Sequence, residues 1–449
     1  ESLKRLVGFL LSANYTWNDI YLADLSVRFD GSSEFGSDQK WAPFWSAGVG
    51  VNVHNYSFLK DNDMINQVKV RVSYGQTGKV NFPSYSAKTV YATNDRWYAT
   101  GFGTQLKALG NHNLKWETTN KLNMGTDLQF WNERISLNFD YYYNKTVDLI
   151  TDVSLPASAG FTSYKDNLGE TLNKGFDIQV RFDVYKDKDW NVSLWGNLNH
   201  NRNEILKISD ALRAYNDRVN EKYEAAEDAQ GNVNLSAYGS EYSEPEMKYE
   251  EGASLTSIFA IRSLGIDPMT GNELFLYRDG SVSSLWKATE TVRVGDEEPK
   301  ASGSFGVNLT YKNLTLFASF AYDWGKQTYN QTLVDGVENA DIENSNVDRR
   351  VLTQRWQKPG DIAPLRNIKD MNTSTMPTSR FVQDDNELSL SALTLSYDFN
   401  TDWLKKIRLK MLRLELSTND LFRASTVRQE RGTSYPFART FNFSLRATF

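Results

Sequence analysis

The group of side chains best suited to chemistry is an acidic stretch in the second half of the chain. Its carboxylates are Asp335, Glu338, Asp341, Glu343 and Asp348. Carboxylate oxygens are the ligands that Ca²⁺ prefers, but the stretch lacks the ligand spacing of an EF-hand loop. A run of solvated charges is therefore the favoured interpretation, and calcium binding at 335–348 stays open. The histidines His54, His112 and His200 lie far apart in the chain, so we predict no metal site from them.

No catalytic pattern stands out in the sequence. With 56 acidic residues, close carboxylate pairs are expected by chance, and there is no Gly-x-Ser-x-Gly elbow, P-loop or His-Glu-x-x-His motif. The absence of cysteine argues against a disulfide framework. A net charge of -6 and a pI near 5.4 leave no basic footprint for nucleic acid. The sequence therefore predicts a protein that is not an enzyme, needs no cofactor and does not bind nucleic acid.

The carboxyl-terminal stretch, Arg439 to Phe449, carries the pattern from which the fold is inferred. Alternate side chains of a strand point to opposite faces. One face here carries Phe441, Phe443, Leu445, Ala447 and Phe449, and the other carries Thr440, Asn442, Ser444, Arg446 and Thr448. The first face suits hydrocarbon and the second suits water. A strand of a soluble sandwich can alternate in the same way, but the final aromatic residue, Phe449, is what we expect of an assembly signal in an outer-membrane β-barrel.

Composition favours the membrane barrel. The chain combines 23 Tyr, 24 Phe and 12 Trp with a mean hydropathy of -0.54. Barrel strands have a polar half that faces the lumen and girdles of aromatic residues, so both properties are expected together. No stretch approaches the roughly eighteen apolar residues of a membrane helix. We predict an all-β, antiparallel transmembrane barrel.

Thirteen segments show the alternating pattern. They lie at about residues 9–17, 20–30, 41–54, 68–75, 122–130, 135–143, 178–184, 192–198, 305–311, 314–324, 388–397, 409–416 and 439–449. If the carboxyl terminus is periplasmic, the short links fall on the periplasmic side and the long loops outside, which is the asymmetry expected of such barrels. A closed bacterial barrel has an even number of strands. Either one strand is missed, with 255–261 as the candidate, or the chain is the later part of a larger barrel.

Two segments change phase within the strand. Leu388 and Leu390 give way to Leu393, and Leu409 and Met411 give way to Leu412. A slip of one residue turns every later side chain to the opposite face. We therefore predict a β-bulge near Ala392 and another near Met411.

Several segments resemble those of a known family. They are Phe29–Gly36, Val70–Gly78, Leu114–Thr119, Tyr141–Thr146, Asn173–Phe176 and Gly265–Gly271, and we refer to them as the signature segments. In sequence and order they resemble the SusC/RagA family, the TonB-dependent outer-membrane transporters of Bacteroidota. The resemblance implies a longer protein with an amino-terminal extension, a TonB box, a plug domain and a barrel of about 22 strands. Residues 1–449 then form the carboxyl-terminal part of that barrel, with no plug or TonB box among them.

For most of these residues, and for the charges expected in the lumen, a structural role is favoured over contact with a ligand. Gly31, Gly36, Gly75 and Gly78 are expected to serve turns or close backbone approach. An interfacial aromatic belt is favoured over a ligand cage for Trp116, Tyr141, Tyr143 and Trp324. We expect charged side chains that face the lumen to pair with each other or with a plug rather than contact substrate. They are Lys69, Arg71, Asp127, Asp140, Asp177 and Arg181.

The resemblance implies active import of an oligosaccharide or a peptide. Its expected partners are a SusD-like surface lipoprotein, the TonB complex, reached through the part of the protein before this chain, and the outer-membrane lipid with its lipopolysaccharide. The loops at 202–300 and 328–385 are the candidates for docking the lipoprotein. Candidate substrate or partner residues in loops are Trp97, Tyr98, Tyr223, Tyr238 and Tyr242.

The sequence is also compatible with a second class of function, that of a scaffold. The chain could belong to a SusC-like barrel that serves as a scaffold or accessory subunit of an outer-membrane complex and transports nothing. Loop length and charge do not separate the two alternatives. An intact plug and TonB box favour import, whereas degenerate ones favour the scaffold.

Overall fold

The computed structural model of the chain describes residues 4–35, 40–60, 62–80, 87–98, 101–108, 110–111, 113–154, 163–167, 169–226, 242–342, 346–367, 374–399, 404, 409–428 and 439–448. The chain forms two compact units. The first unit consists of Glu1–Ile178, Asn201–Asn216 and Tyr249–Leu255. The second consists of Gln179–His200, Asp217–Lys248 and Thr256–Phe449.

Long antiparallel strands form the first unit, because its sequence alternates apolar and polar residues over stretches of a dozen residues. The strands up to residue 207 are β1 (Leu6–Trp17), β2 (Tyr21–Ser32), β3 (Trp41–Asn52), β4 (Ile65–Lys79), β5 (Val90–Tyr98), β6 (Gly101–Ala108), β7 (Glu117–Phe130), β8 (Ile135–Val147), β9 (Ile150–Ser154), β10 (Ser163–Asn167), β11 (Glu170–Lys186) and β12 (Trp190–Lys207). The sheet order is β1-β2-β3-β4-β7-β8, followed by β11, whose residues up to Ile178 belong to this unit. The pairs β5-β6 and β9-β10 form separate hairpins.

A tight turn sets the register of the first hairpin. Asn18 and Asp19 adopt φ values of 53° and 56°, a left-handed conformation that Asn and Asp tolerate better than most residues. The backbone N–H of Ile20 donates to the carbonyl of Trp17 at 3.0 Å, and Trp17 pairs with Tyr21. The short link expected between segments 9–17 and 20–30 is therefore a tight turn.

The second unit continues with the same kind of strand. The remaining strands are β13 (Ser257–Ala260), β14 (Arg262–Ile266), β15 (Glu273–Leu276), β16 (Val282–Ser283), β17 (Val292–Asp296), β18 (Ala301–Tyr311), β19 (Leu314–Tyr329), β20 (Val382–Asp398), β21 (Met411–Asn419), β22 (Arg423–Ser425) and β23 (Phe441–Thr448). From the later part of β11, the order is β11-β12-β18-β19-β20-β21-β23, and β22 adds to β20. Helix α1 spans Asp210–Ala226, and shorter helical segments are Val53–Asn55, Ala288–Glu290, Gln331–Leu333, Val334–Glu338, Arg350–Thr353 and Ser379–Phe381.

All thirteen predicted strands are present, and most extend further than the alternation showed. The strand β11, for example, begins at Glu170 instead of near residue 178. Segment 255–261, considered as a missed crossing, contains β13, but β13 pairs with β17 in a small separate sheet. Segment 202–300, predicted as a loop, contains helix α1 and the short strands β13 to β17.

One of the two predicted bulges is confirmed. Ser319 pairs with Ala392 and Phe320 pairs with Leu390, so Ser391 is left out of the ladder and its hydroxyl donates to the carbonyl of Ser319 at 2.9 Å. The bulge predicted near Met411 is wrong. From Met411 onward, β21 pairs with β23 in an unbroken register, and the phase change in the sequence marks the start of the strand.

Opposite faces of β4 have opposite chemistry. Val70 and Val72 are substantially exposed on one face. On the other face the guanidinium of Arg71 lies 2.6 Å from a carboxylate oxygen of Asp140 and 3.5 Å from one of Asp127. The prediction that these lumen charges pair with one another is confirmed for this group. Exposed apolar side chains are stable on such a face only where it meets lipid or another apolar surface.

Aromatic rings gather where strands meet short turns. In the first unit, Trp17 stacks on Tyr21 with centroids 5.5 Å apart, and the hydroxyl of Tyr56 donates to that of Tyr21 at 2.8 Å. In the second unit, the Trp190 and Tyr311 centroids lie 4.3 Å apart. Rings with a polar tip favour the headgroup level of a bilayer, as a barrel girdle requires. Among the described residues, no helix is long and apolar enough to span a membrane.

We predict that a charge is tolerated on one face of β12 only. Leu194 is 44% exposed on the apolar face, and Ser193 lies on the other face. In the full-length protein, Leu194→Arg is expected to cost about 2–4 kcal/mol near the bilayer midplane, whereas Ser193→Arg should change stability by about 0.5 kcal/mol or less. Urea unfolding in liposomes measures both, and equal losses would contradict the assignment of the faces.

Candidate functional site

Two signature segments, Phe29–Gly36 and Leu114–Thr119, meet in one buried cluster of the first unit. Phe35 is fully buried, and its ring stacks on Trp116 with centroids 4.7 Å apart. Phe44 meets Trp116 edge-on at 5.6 Å, and Leu114, Ala87 and Ile150 complete the cluster. The cluster fixes the ends of β2, β3, β4 and β7 where the chain leaves the sheet.

Glycine is required around this cluster because atoms of the neighbouring strand lie against the backbone. A Cβ on Gly78 would overlap the Phe44 ring, and one on Gly31 would lie 2.7 Å from the ring of Trp41. At Gly75 it would lie 2.6 Å from the Cβ of Ser46. The predicted close approach is therefore confirmed at these three positions. Gly36 lies outside the described residues.

The belt assignment is wrong for Trp116. Its side chain is only 8% exposed, because Phe35 and Phe44 cover it. Tyr143 and Trp324 are exposed, as a belt requires. Periodicity alone could not separate a ring on the surface from one under a loop, since the covering residues come from elsewhere in the sequence.

The signature segment at 29–36 also places a buried charge. The carboxylate of Glu34 is 4% exposed and lies 2.6 Å from the ammonium of Lys4. The backbone N–H of Glu34 donates to the hydroxyl of Ser32 at 3.2 Å. A buried carboxylate is stable here because a cation and a local turn accompany it.

Several residues singled out in the sequence lie partly or wholly outside what the structure describes. Trp97 and Tyr98 end β5 and pair along the backbone with Phe102 and Gly101, and their side chains are outside what the structure describes. Tyr238, Phe449, His112 and Glu343 lie outside the described residues altogether. The roles assigned to Trp97, Tyr98, Tyr238 and Phe449 therefore stay predictions.

Tyr223 and Tyr242 form part of a loop core, which corrects their assignment as contact residues. Tyr223 is 3% exposed, its hydroxyl donates to the carbonyl of Glu244 at 3.0 Å, and its ring lies 5.1 Å from that of Trp286. Tyr242 meets it at 5.9 Å. Burial, with a smaller contribution from Glu246, raises the pKa of Tyr223. Both rings therefore hold the loop together.

One carboxylate of the acidic stretch is the centre of a buried ion network. Glu338 is 2% exposed, and Arg380 donates to it at 2.7 Å and to Glu273 at 2.8 Å. Burial lowers the pKa of Arg380, but the Coulomb attraction of Glu273 and Glu338 outweighs it and raises the pKa overall. The interpretation as solvated charges is therefore wrong for Glu338, because three sequence-distant segments enclose it.

Two other acidic residues of the stretch, Asp335 and Asp348, have partners of their own. Asp348 binds Arg350 at 2.9 Å, and this hydrogen bond lowers the pKa of Asp348. Asp335 accepts from Gln331 at 2.9 Å. Within the described part of the chain, no group of three or more metal-binding side chains comes together.

Sequence reasoning missed the buried amine of Lys248. Its ammonium donates to the Asn220 side chain at 2.6 Å, the Ala288 carbonyl at 2.9 Å and the Thr291 hydroxyl at 2.5 Å. Burial, with Arg278 nearby, lowers the pKa of Lys248 to about 8. Since the unfolded chain holds this proton to higher pH, Lys248 makes folding more favourable as pH rises from about 8 to about 10.4. An isolated Lys in a polar loop gave no sign of burial.

The fold agrees with comparisons to known proteins. The model of the TonB-dependent receptor-like β-barrel family matches residues 4–257. The TonB-dependent receptor P3 of Formosa agariphila is 29% identical over 425 residues, which are 93% of this chain and 41% of the relative. The TonB-dependent receptor SusC of Bacteroides thetaiotaomicron is 34% identical over 213 residues, 45% of this chain and 21% of the relative.

A solved structure supports the fold. The RagAB peptide transporter superimposes with a TM-score of 0.78 at 24% identity, over 94% of this chain and 44% of that one. The chain belongs to the TonB-dependent receptor-like β-barrel family and is part of a bacterial outer-membrane protein. It spans about two fifths of the length of P3. The family resemblance, the antiparallel barrel fold and the outer-membrane location predicted from the sequence are confirmed.

We predict that Gly78 cannot carry a side chain while Phe44 keeps its place. Gly78→Ala should cost about 1–3 kcal/mol, because the new methyl group overpacks the ring. Hydrogen exchange of the β3 and β4 amides in the full-length protein measures the loss. The control is Gly48→Ala, whose Cβ would make ordinary contact with Ser73 at 3.5 Å. Similar exchange in both variants would show that the contact is unimportant.

We predict that Arg380 stabilises the loops of the second unit more than a surface arginine does. Arg380→Met leaves Glu273 and Glu338 buried without their shared cation, at a cost of about 3–5 kcal/mol. The loss should shrink as pH falls, because protonation of the two carboxylates replaces the missing positive charge. Hydrogen exchange of residues 261–380 at pH 7 and pH 5 tests this. The exposed Arg349 supplies the control, Arg349→Met, and equal effects would refute the prediction.

Proposed function

We propose that the protein containing this chain imports a nutrient, an oligosaccharide or a peptide, across the outer membrane by TonB-dependent active transport. The observation that carries the proposal is the ion-paired face of β4, β7 and β8, where Arg71 meets Asp127 and Asp140. Paired charges opposite an apolar face suit the wall of a water-filled passage through lipid. Membership in the receptor family supports the same function.

The energy for import comes from outside this chain in the proposed mechanism. A plug domain fills the passage, and the TonB complex displaces it with energy from the inner membrane. The strands described here form part of the fixed wall, and their apolar faces contact lipid and lipopolysaccharide. A wall held by backbone hydrogen bonds does not need to open for cargo to pass, so the moving part is the plug.

A SusD-like surface lipoprotein is the proposed partner, docked on the loops at 202–300 and 328–385. Support comes from the internal order of the loops within the second unit. Lys248 ties Asn220 to Ala288 and Thr291, and Arg380 ties Glu273 to Glu338. Loops that are already ordered lose less entropy on docking, so they can present a defined surface to a partner.

Import predicts that uptake depends both on this protein and on TonB. The gene should be deleted in the native bacterium and restored from a plasmid, and uptake of labelled oligosaccharide and peptide mixtures should be measured in each strain. We expect deletion to reduce uptake of one class to the level of a strain without TonB. Restoration in the strain without TonB should have no effect.

The scaffold alternative gives a different result in the same strains. Uptake would be unchanged by the deletion, and an outer-membrane complex purified through another subunit would lose a component. That combination would refute the import proposal.

A further inference from the structure

The link between β3 and β4 is a folded segment rather than a tight turn. It occupies residues 53–64, of which all but residue 61 are described, and we call it the connector. It begins with a short helical turn, Val53–Asn55, and the backbone N–H of Lys60 donates to the carbonyl of Tyr56 at 3.0 Å. The connector lies at the same end of the sheet as the turn between β1 and β2, which is the periplasmic end in the proposed topology.

Hydrogen bonds hold the connector against the neighbouring strands. The side-chain amides of Asn52 and Asn55 donate to the carbonyl of Asp19 at 2.8 Å and 2.7 Å. The backbone N–H of Val68 donates to the ring of His54 at 3.3 Å. The connector is therefore fixed both to the β1-β2 turn and to β4, so its side chains have defined positions.

A row of aromatic rings leads from the apolar face of the sheet into the connector. Tyr21 is in phase with Leu25 and Phe29 of β2, which places it on that face. The hydroxyl of Tyr56 donates to that of Tyr21 at 2.8 Å, and the two rings meet edge-on at 6.3 Å. The ring of Phe58 stacks on that of Tyr56 with centroids 5.8 Å apart. The apolar face thus continues past the ends of the strands.

Phe58 ends this row and is 74% exposed. The row rests on β2 and on the connector between β3 and β4, which lie inside the sheet order, so the exposure does not arise at an outer strand. Tyr and Trp suit the headgroup level because each has a polar tip, whereas Phe gains only by leaving water. A large apolar ring presented on a rigid segment therefore calls for an apolar partner.

Lipid is the partner that the position of the ring favours. The chain belongs to an outer-membrane barrel protein, and in such barrels the outward apolar band of the strands meets lipid. Phe58 is joined to that band through Tyr56 and Tyr21 without a break. A segment with an apolar ring beside polar residues binds at the boundary between headgroups and acyl chains.

We infer that the connector is a lipid-binding element, which inserts Phe58 among the phospholipids of the leaflet on the side of the short links. The hydroxyl pair of Tyr21 and Tyr56 stays at the headgroup level and sets the depth of the ring. The inference extends the lipid contact beyond the strands to a segment that does not cross the membrane. It is independent of import, because a barrel that serves as a scaffold would be anchored in the same way.

Site-specific labelling of the full-length protein in liposomes of phosphatidylethanolamine and phosphatidylglycerol tests the inference. The chain contains no cysteine, so one introduced cysteine can carry a small fluorophore once any cysteine elsewhere in the protein is replaced by serine. Phospholipids with a nitroxide near the headgroup end of the acyl chain should quench the label in Phe58→Cys several-fold more than in Ser57→Cys. Ser57 is the matched control because it is the exposed neighbour in the same connector.

Two further variants show that the quenching reports the position of the connector. Val72→Cys places the label on the apolar face of β4 and sets the quenching expected of a site in lipid. Adding Tyr56→Ala removes the link to Tyr21, so quenching at position 58 should fall while quenching at position 72 stays the same. The unchanged signal at position 72 shows that the barrel is still folded.

Hydroxyl-radical footprinting of the unsubstituted protein in the same liposomes keeps the native ring. Phe58 should be oxidised several-fold less than Tyr91, an aromatic residue of the same unit that is 64% exposed. Equal oxidation of the two, or equal quenching at positions 57 and 58, would overturn the inference. Protection of Phe58 without quenching would also overturn it, because another part of the protein would then cover the ring instead of lipid.

Discussion

Backbone hydrogen bonding between neighbouring strands is the constraint on which the rest of this structure depends. Lipid offers no partner to an exposed N–H or C=O, so a chain that crosses a bilayer as strands must satisfy these groups within the sheet. The ladder between β4 and β7 illustrates this, with pairs running from Ile65 to Lys79. Even the irregular point in β20 compensates locally, because the hydroxyl of Ser391 bonds to the carbonyl of Ser319.

Pairing in register also determines where charge can be placed. Because Lys69 and Arg71 alternate with Val70 and Val72, the ladder that satisfies the backbone also separates an apolar side from a charged side. Arg71 is acceptable on the charged side since Asp140 and Asp127 accompany it. Opposite charges also pair away from the long strands, where Glu338 and Arg380 are buried and bind each other instead of water.

The strands could be predicted from local sequence, whereas the exact strand ends and helix α1 could not. Alternation is a property of neighbouring residues, so all thirteen strands and the Ser391 bulge could be predicted. The strand ends could not, because polar residues near Glu170 continue the ladder without an apolar pattern. Helix α1 was missed for a similar reason, as its sequence is mostly polar.

Burial in the loops depends on contacts between distant parts of the chain. Trp116 is covered by Phe35, Tyr223 by Trp286, and Glu338 by an arginine some forty positions later, at Arg380. A single sequence contains the residues of such contacts but not their pairing. The family resemblance identified Phe35, Gly78 and Trp116 as members of shared segments, and the structure explains why they occur together.

The bond of Arg380 to both Glu273 and Glu338 has a consequence for how such loops can diverge. Segments around residues 273, 338 and 380 share one cation, so a substitution that removes Arg380 leaves two buried carboxylates without it. We therefore expect loops of this kind to be inherited as a set. Recombination between relatives that replaced one segment alone would produce a mismatched core, whereas exchange of all three together would preserve it. We therefore expect variation in this region to arise more readily by exchange of the whole block than by exchange of single loops.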